Sequence, residues 1–254
     1  MPPIGEDNEV LQNPHIFLDE IMRQEEDNEI IRLTMDIRNG KSLPLYKGND
    51  VMIVRAGDMD PGMYLWADQI IVGKNDTRRS INSQMRKVLF DVEDEKPIEG
   101  DKVICLRNSW ETINEVGDVL VNGLSGTISN INYNNYNPFL KPMMLADFIP
   151  DDYDELDEEF SFGDLYFRQL NIDYKLLTTG EPTVNEKNFK RFPKGVKPLT
   201  FDYGYCITCH KSQGSEYDKV LVFEEHLKDS QHARWLYTAA TRAKKKLIIV
   251  KDRT

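Results

Sequence analysis

The stretch FDYGYCITCHKSQGSEYDKVLVFEE, residues 201–225, and the later WLYTAATRAKKKLIIVKD, residues 235–252, decide the fold. Lys219-Val220-Leu221-Val222-Phe223 and Leu247-Ile248-Ile249-Val250 are short, continuous and rich in β-branched residues, the pattern of strands buried on both faces. Between them, Ala233 to Lys246 has a helical pattern, with Trp235, Leu236, Ala239 and Ala240 on one side. Strand, helix and strand at this spacing make a βαβ unit of a parallel sheet. The expected fold class is therefore α/β.

The polar residues around this unit carry the chemistry. His210, Lys211, Ser212, Gln213, Gly214, Ser215 and Glu216 lead into the first strand, and Arg242 follows Thr238 and Thr241 at the end of the helix. The plainer reading is a helix-capping loop and a surface arginine. The two segments also resemble motifs V and VI of superfamily-1 DNA helicases, nearest the RecD-like and phage Dda-like branch, superfamily 1B. The family pattern T-x-H-x-x-Q-G-x-E stands here as Thr208, His210, Gln213, Gly214 and Glu216. The pattern Y-x-A-x-T-R stands as Tyr237, Ala239, Thr241 and Arg242. The resemblance implies a RecA-like parallel-sheet domain.

The rest of the chain sets bounds on this reading. At 254 residues it can hold one large domain or two small ones, and a hydrophobic content of 40% permits a proper core. It has no apolar run of about 18 residues, so no membrane span is expected. The first residues, MPPIGEDNEV, carry no basic and apolar secretion pattern, and three cysteines fit a reducing compartment, so a cytoplasmic location is expected. A net charge of −11 argues against strong non-specific DNA binding by the chain alone. The charge is uneven, however. Asp151 to Glu159 is nearly all acidic, while Lys187 to Lys197 and Arg242 to Arg253 are basic, so a local groove can still bind phosphates. The acidic run reads as a solvated loop.

Before residue 100 the resemblance continues. Pro2-Pro3-Ile4 is similar to the tail of helicase motif III, with Met1 where leucine stands and the glutamine missing. Leu18, Glu20 and Arg23 match the L-x-E-x-x-R segment that follows it, which implies that Arg23 reaches the ATP γ-phosphate; a solvated helix arginine is the plainer reading. Arginine suits this task, because its planar fork matches phosphate oxygens and keeps its charge. Residues 26–40 read as an amphipathic helix with Ile30, Ile31, Leu33, Thr34 and Ile37 on one side, closed by Asn39-Gly40. Gly40-Lys41-Ser42 is not a phosphate loop: Met35 stands where the first glycine belongs, and a helix precedes it rather than a strand. Trp66 to Val72 reads as a strand, followed by a polar turn and a helix that Asp76 or Thr77 would cap. Asn75, Ile81, Asn82 and Arg86 there resemble motif IV. Lys74 lies at a strand's carboxyl end, where open α/β sheets place ligands, and a DNA backbone contact is expected of it.

Residues 100–196 change character. Gly100 to Asn108 reads as a strand, Asn122-Gly123 between Val119-Leu120-Val121 and Leu124 to Ile128 as a hairpin, and the alternation through Phe160, Phe162, Leu165, Phe167 and Leu170 as further short strands. The helicases named carry a small β-barrel of the Src-homology-3 kind at this place, so an inserted barrel is expected. Phe201 to Thr208 then reads as one strand returning to the main sheet. Its Cys206 and Cys209 have a CxxC spacing, but the only other cysteine is Cys105, so a Cys₄ zinc site is impossible and no metal is assigned. Three apart on a strand, they face opposite sides as buried free thiols.

An ATP-driven motor needs a phosphate loop and carboxylates for Mg²⁺ and water, and the sequence contains neither G-x-x-x-x-G-K-[ST] nor a Walker B strand. By resemblance these belong to a first RecA-like domain. The expected division is 1–25 as a remnant of that domain, 26–99 and 197–254 as the second RecA-like domain, and 100–196 as the insertion. The resemblance implies Arg23 and Arg242 as arginine fingers, and Gln213, Gly214, Glu216 and Tyr237 at ATP. It implies Lys74, Asn75, Thr208, His210 and Lys211 at single-stranded DNA. The cofactors implied are ATP and Mg²⁺, and the partner is an N-terminal half with the Walker motifs, from a split gene unless the chain is a decayed remnant. Such a chain alone would not hydrolyse ATP. The alternative is a non-catalytic DNA-binding or adaptor module.

Overall fold

The structure, a computed structural model, describes residues 28–92, 96–133, 143–151, 161–181, 198–225 and 229–251. Asn28 opens helix α1 (Glu29–Arg38) by accepting the backbone N–H groups of Ile30 and Ile31. The helix buries Ile30, Leu33, Thr34 and Ile37, with Ile31 only half-buried. Its first residue, Glu29, accepts from the backbone of Asp50 and Val51, which fixes the turn between β1 (Tyr46–Lys47) and β2 (Val51–Arg55). The short helix α2 (Gly62–Trp66) precedes β3 (Gln69–Val72), so the expected strand from Trp66 is shorter. Helix α3 (Asn75–Phe90) follows directly.

The inserted region forms β4 (Lys102–Cys105), β5 (Ser109–Ile113), β6 (Val119–Leu120), β7 (Ser125–Asn132), β8 (Met143–Pro150) and β9 (Phe167–Asp173), then helix α4 (Tyr174–Thr179). Phe162 and Leu165 lie in a 3-10 turn rather than a strand. The chain ends with β10 (Phe201–Tyr203), β11 (Cys206–Thr208), β12 (Tyr217–Glu224), α5 (Asp229–Ala240) and β13 (Ala243–Lys251).

Two sheets organise these elements. The main sheet has the order β1-β2-β13-β12-β3-β11, parallel throughout except for the antiparallel edge β1. Its strands alternate between two cores. Ile71, Val220, Val222, Leu247 and Ile249 pack with Ile30, Leu33 and Ile37 of α1 and Leu236 of α5. On the other face, Ile70, Val72, Leu221, Ile248 and Val250 pack with Ile81 and Met85 of α3 and with the second sheet. That second sheet is antiparallel, in the order β10-β4-β7-β8-β9. It curls around Phe148, Phe167 and Phe201, and its two edges meet where Ile172 bridges Leu199.

Three expectations give way to this topology. Phe201 to Thr208 is not one strand: β10 pairs with β4 and β11 with β3, so the chain changes sheets at Gly204-Tyr205. Gly204 allows it, because a Cβ there would lie 3.0 Å from the Val103 carbonyl carbon. The buried Gln69 amide donates to the Gly204 and Tyr205 carbonyls and so ties the crossing point to β3. The turn at Asn122-Gly123 exists, with Gly123 at φ +93°, but joins no hairpin: β6 pairs with β5, whereas β7 pairs with β4 and β8. The helix expected through Lys246 ends at Ala240, because Ala243 to Lys246 already lies beside Tyr217 to Lys219, with Lys245 on Asp218 and Lys246 on Asp50.

Candidate functional site

Of the sequence-selected residues, the described ones gather at the two ends of the main sheet. At the amino end, β12 and β13 start side by side, held by the Tyr217 N–H on the Arg242 carbonyl at 2.9 Å. This sets Ser215 against Arg242. The guanidinium donates from Nε to the Thr238 carbonyl at 3.2 Å, from one terminal nitrogen to the Ser215 carbonyl at 3.1 Å, and from the other to Thr241 Oγ1 at 3.2 Å. All these acceptors are neutral, and among the described residues no carboxylate pairs with Arg242. The side chain is half-buried, its direction is set, and three bonds leave further N–H donors of the fork available.

Next to it, Gly214 stands at φ +93° with nothing within 4 Å of where a Cβ would be, so its backbone is open to close approach. Gln213 and Glu216 are exposed on either side. Tyr237 is half-buried against the α1–α5 core, and its carbonyl accepts the Thr241 N–H that ends the helix. An anion with hydroxyl-bearing neighbours fits this edge: the arginine and open backbone suit phosphate oxygens, and a free carboxylate suits hydroxyls.

At the carboxyl end, β3 and β11 finish together, with Val72 beside Thr208 and the Cys209 N–H on the Val72 carbonyl at 2.9 Å. Lys74 and His210 leave these adjacent ends and are exposed. Thr208 is buried; its carbonyl accepts from the Lys211 and Ser212 amides and starts a tight turn. The buried Ser212 hydroxyl locks that turn on the Cys209 carbonyl at 2.8 Å. Lys211 is half-buried, and burial lowers its pKa against the opposing pull of Asp202. Asn75 Oδ1 accepts from Arg78 Nε at 3.3 Å. Residues 209–216 run from this edge to the amino edge, so one short segment joins both groups.

The start of α3 has a different cap from the one expected. Lys74 is at the cap position without a side-chain bond, and Asp76 is exposed. Glu225, at the end of β12, accepts from the backbone N–H of Gly73 at 2.6 Å and Lys74 at 2.7 Å, and from the Thr77 hydroxyl. Its carboxylate is aimed at the helix's positive end, a role the sequence marked only by an acid after an apolar strand. The other motif IV matches are internal anchors. Ile81 is core, Asn82 bonds the backbone of Tyr203 and Cys206, and Arg86 pairs with buried Asp101 at 2.9 Å.

Cys206 and Cys209 are free and buried in opposite cores, and burial pushes the Cys209 thiol up to about 11. Among the described residues no cluster of three metal-ligating side chains occurs, and no helix is long and apolar enough to cross a membrane. Arg23, with Leu18, Glu20, Pro2-Pro3-Ile4 and Lys187 to Lys197, lies outside the described residues, as does most of the acidic run.

Residues 203–250, which hold both edges' motif V and VI residues, match the UvrD-like helicase C-terminal domain. No curated protein matches the chain. Among solved structures, one of two coordinating Pif1 helicases unwinding forked double-stranded DNA aligns with 91% of this chain and 48% of its own, at 15% identity and a TM-score of 0.54. Pif1 helicase from Candida albicans aligns with 91% of this chain and 55% of its own, at 16% identity and a TM-score of 0.48. Pif1 from Bacteroides, solved with ADP-AlF3 and single-stranded DNA, aligns with 92% and 51%, at 17% identity and a TM-score of 0.47. The chain spans about half the length of these helicases, and it shares the fold of the matched part of the first of them.

Proposed function

We propose that this chain, which resembles the C-terminal part of a superfamily-1B DNA helicase, is the C-terminal motor half of an ATP-dependent helicase. The observation that carries the reading is Arg242: inside the matched segment, aimed by neutral carbonyls, with no carboxylate among the described residues to absorb its charge. In this reading it is an arginine finger for a nucleotide held mainly by an N-terminal half with Walker A and Walker B motifs, and Arg23 is a second. ATP with Mg²⁺ supplies the energy and the transferring phosphoryl group. Gln213, Gly214, Glu216 and Tyr237 line the nucleotide, with Glu216 toward the ribose. Arginine fingers are worth roughly 10³–10⁵ in rate.

Lys74, Asn75, His210 and Lys211 contact single-stranded DNA at the opposite edge, while buried Thr208 turns the chain so that His210 and Lys211 emerge. Residues 209–216 bind at both edges, so a shift of the nucleotide end moves the DNA end. Residues 26–99 and the chain after Gly204 form the RecA-like motor domain, and the curled antiparallel sheet between them, which takes in β10 (Phe201–Tyr203), is the Src-homology-3-like barrel of this branch. Movement is 5′→3′.

The test is reconstitution. The chain alone should give no DNA-stimulated ATP hydrolysis. Mixed with an N-terminal half carrying the Walker motifs, it should restore hydrolysis and unwind a 5′-tailed duplex. Robust turnover by the chain alone, or no gain from any such half, would sink the reading and favour a non-catalytic DNA-binding or adaptor module.

A further inference from the structure

Away from both edges of the main sheet, a cavity of about 370 Å³ opens between α3 and α4. In a chain of net charge −11 the described residues of its lining are mostly cationic: Arg78, Arg79, Arg86 and Lys87 stand there with one described carboxylate, Asp202. Arg78 and Arg86 are each held by an acid. Arg78 pairs with Asp202 and Arg86 with Asp101, and the buried Tyr203 ring lies under Arg86 with the guanidinium carbon 4.6 Å from its centre. They form a fixed back wall.

Arg79 is different. Its side chain is 52% exposed, and its carboxylate neighbour is Asp76 at 4.0 Å, itself 99% exposed, so that pairing neutralises little. Its guanidinium lies instead on Gly180, which ends α4 at φ +73°; a Cβ there would sit 2.4 Å from a guanidinium nitrogen. The backbone at 180 suits glycine, and its missing side chain leaves room for the Arg79 guanidinium at the mouth. Ser83, one turn further along α3, is exposed on the same face, while Val92 and Leu177 supply apolar wall. The volume lies in the range of small-molecule sites, well above the need of a bare phosphate.

We propose that this cavity binds a phosphate-bearing nucleotide unit, with the phosphate on Arg79 at the mouth and the base against Leu177 and Val92. A free nucleoside monophosphate and the 5′-phosphorylated end of a nucleic-acid strand share this chemistry. The site is separate from Arg242, because α3 and α5 cover opposite faces of the main sheet. It does not depend on the motor reading.

The experiment uses the full chain without nucleotide triphosphate or partner. Adenosine 5′-monophosphate, and oligothymidine with and without a 5′-phosphate, are titrated by calorimetry. Binding of the monophosphate points to a free nucleotide, and binding of the phosphorylated strand alone points to a strand end; either supports the site. Arg79→Glu and Ser83→Asp, both at exposed positions, should each weaken that binding by about tenfold or more while leaving thermal melting unchanged. The proposal is overturned if neither phosphate-bearing probe binds, if adenosine and the 5′-hydroxyl strand bind as tightly, or if both variants bind like the wild type.

Discussion

Replacing Glu225 by alanine removes the side chain that caps α3, and the structure gives the size of the loss. The carboxylate accepts from the Gly73 and Lys74 amides at 2.6 and 2.7 Å and from the Thr77 hydroxyl, and the residue is 9% exposed. Loss of a cap costs about 1 kcal/mol. Each buried donor left without a partner costs about 1–3 kcal/mol, partly relieved where water enters. The favourable charge at the helix start adds up to about 2 kcal/mol. These contributions overlap, so a total near 3 kcal/mol is expected, about 6–12 °C in Tm for a chain of this size. Glu225→Gln keeps an acceptor and the shape but loses the charge, and should cost about half as much. Urea unfolding followed by circular dichroism measures both, and hydrogen exchange at the Gly73 and Lys74 amides should quicken in the alanine variant. A Glu225→Ala protein within 0.5 kcal/mol of wild type (about the spread among neutral surface substitutions), or an alanine variant no worse than glutamine, would refute the reasoning.

Arg86→Met should cost about 3–5 kcal/mol in chemical unfolding, because it strands the buried Asp101 carboxylate. Adding Asp101→Leu should recover only part, since Asp101 also accepts from the Ile98 amide and the Tyr205 hydroxyl. Gly126→Ala should cost about 2 kcal/mol or more, or abolish folding, because its Cβ would sit 2.1 Å from the Ile149 carbonyl oxygen. Burial holds the Cys105 and Cys209 thiols up at about 11 against an ordinary value of 9.0. The unfolded chain releases these protons first, so stability is full below pH 9, falls as pH rises toward about 11, and the burial-raised phenols of Tyr203 and Tyr205 add to the loss above pH 10. Urea midpoints should follow that slope, and Cys105→Ala should flatten it; a level profile contradicts it.

The βαβ unit was legible because its strands are continuous apolar runs, which only a sheet covered on both faces explains. The opposite facing of Cys206 and Cys209 was legible for the same periodic reason. Partner choice was not. Phe201 to Thr208 alternates well enough for one strand, and nothing local shows that β10 belongs to one sheet and β11 to another; the deciding contact is Gly204 against Val103, about a hundred residues away in sequence. The Asn122-Gly123 turn obeys local chemistry while its flanking strands pair elsewhere. Glu225 could not be seen as the cap of a helix that begins with Asn75, since capping was sought among neighbours in sequence. β2 and β8 escaped attention because the first is short and the second carries Asp147 and ends at Pro150. The motif letters singled out Arg242, but only the fold shows that it is bonded to two carbonyls and a hydroxyl and that Lys74 and His210 lie at the other end of the sheet.

The most direct test is steady-state ATP hydrolysis by the chain mixed with an N-terminal helicase half that carries the Walker motifs, on single-stranded DNA, comparing wild type with Arg242→Ala and Arg242→Lys. Alanine should lower kcat by about 10³ or more while the chain stays folded, its melting temperature falling modestly for the three lost hydrogen bonds, and the Kd for single-stranded DNA is largely kept; lysine, a charge without the planar fork, should restore little. A kcat for Arg242→Ala within about twofold of wild type, far short of that loss, would contradict the motor reading.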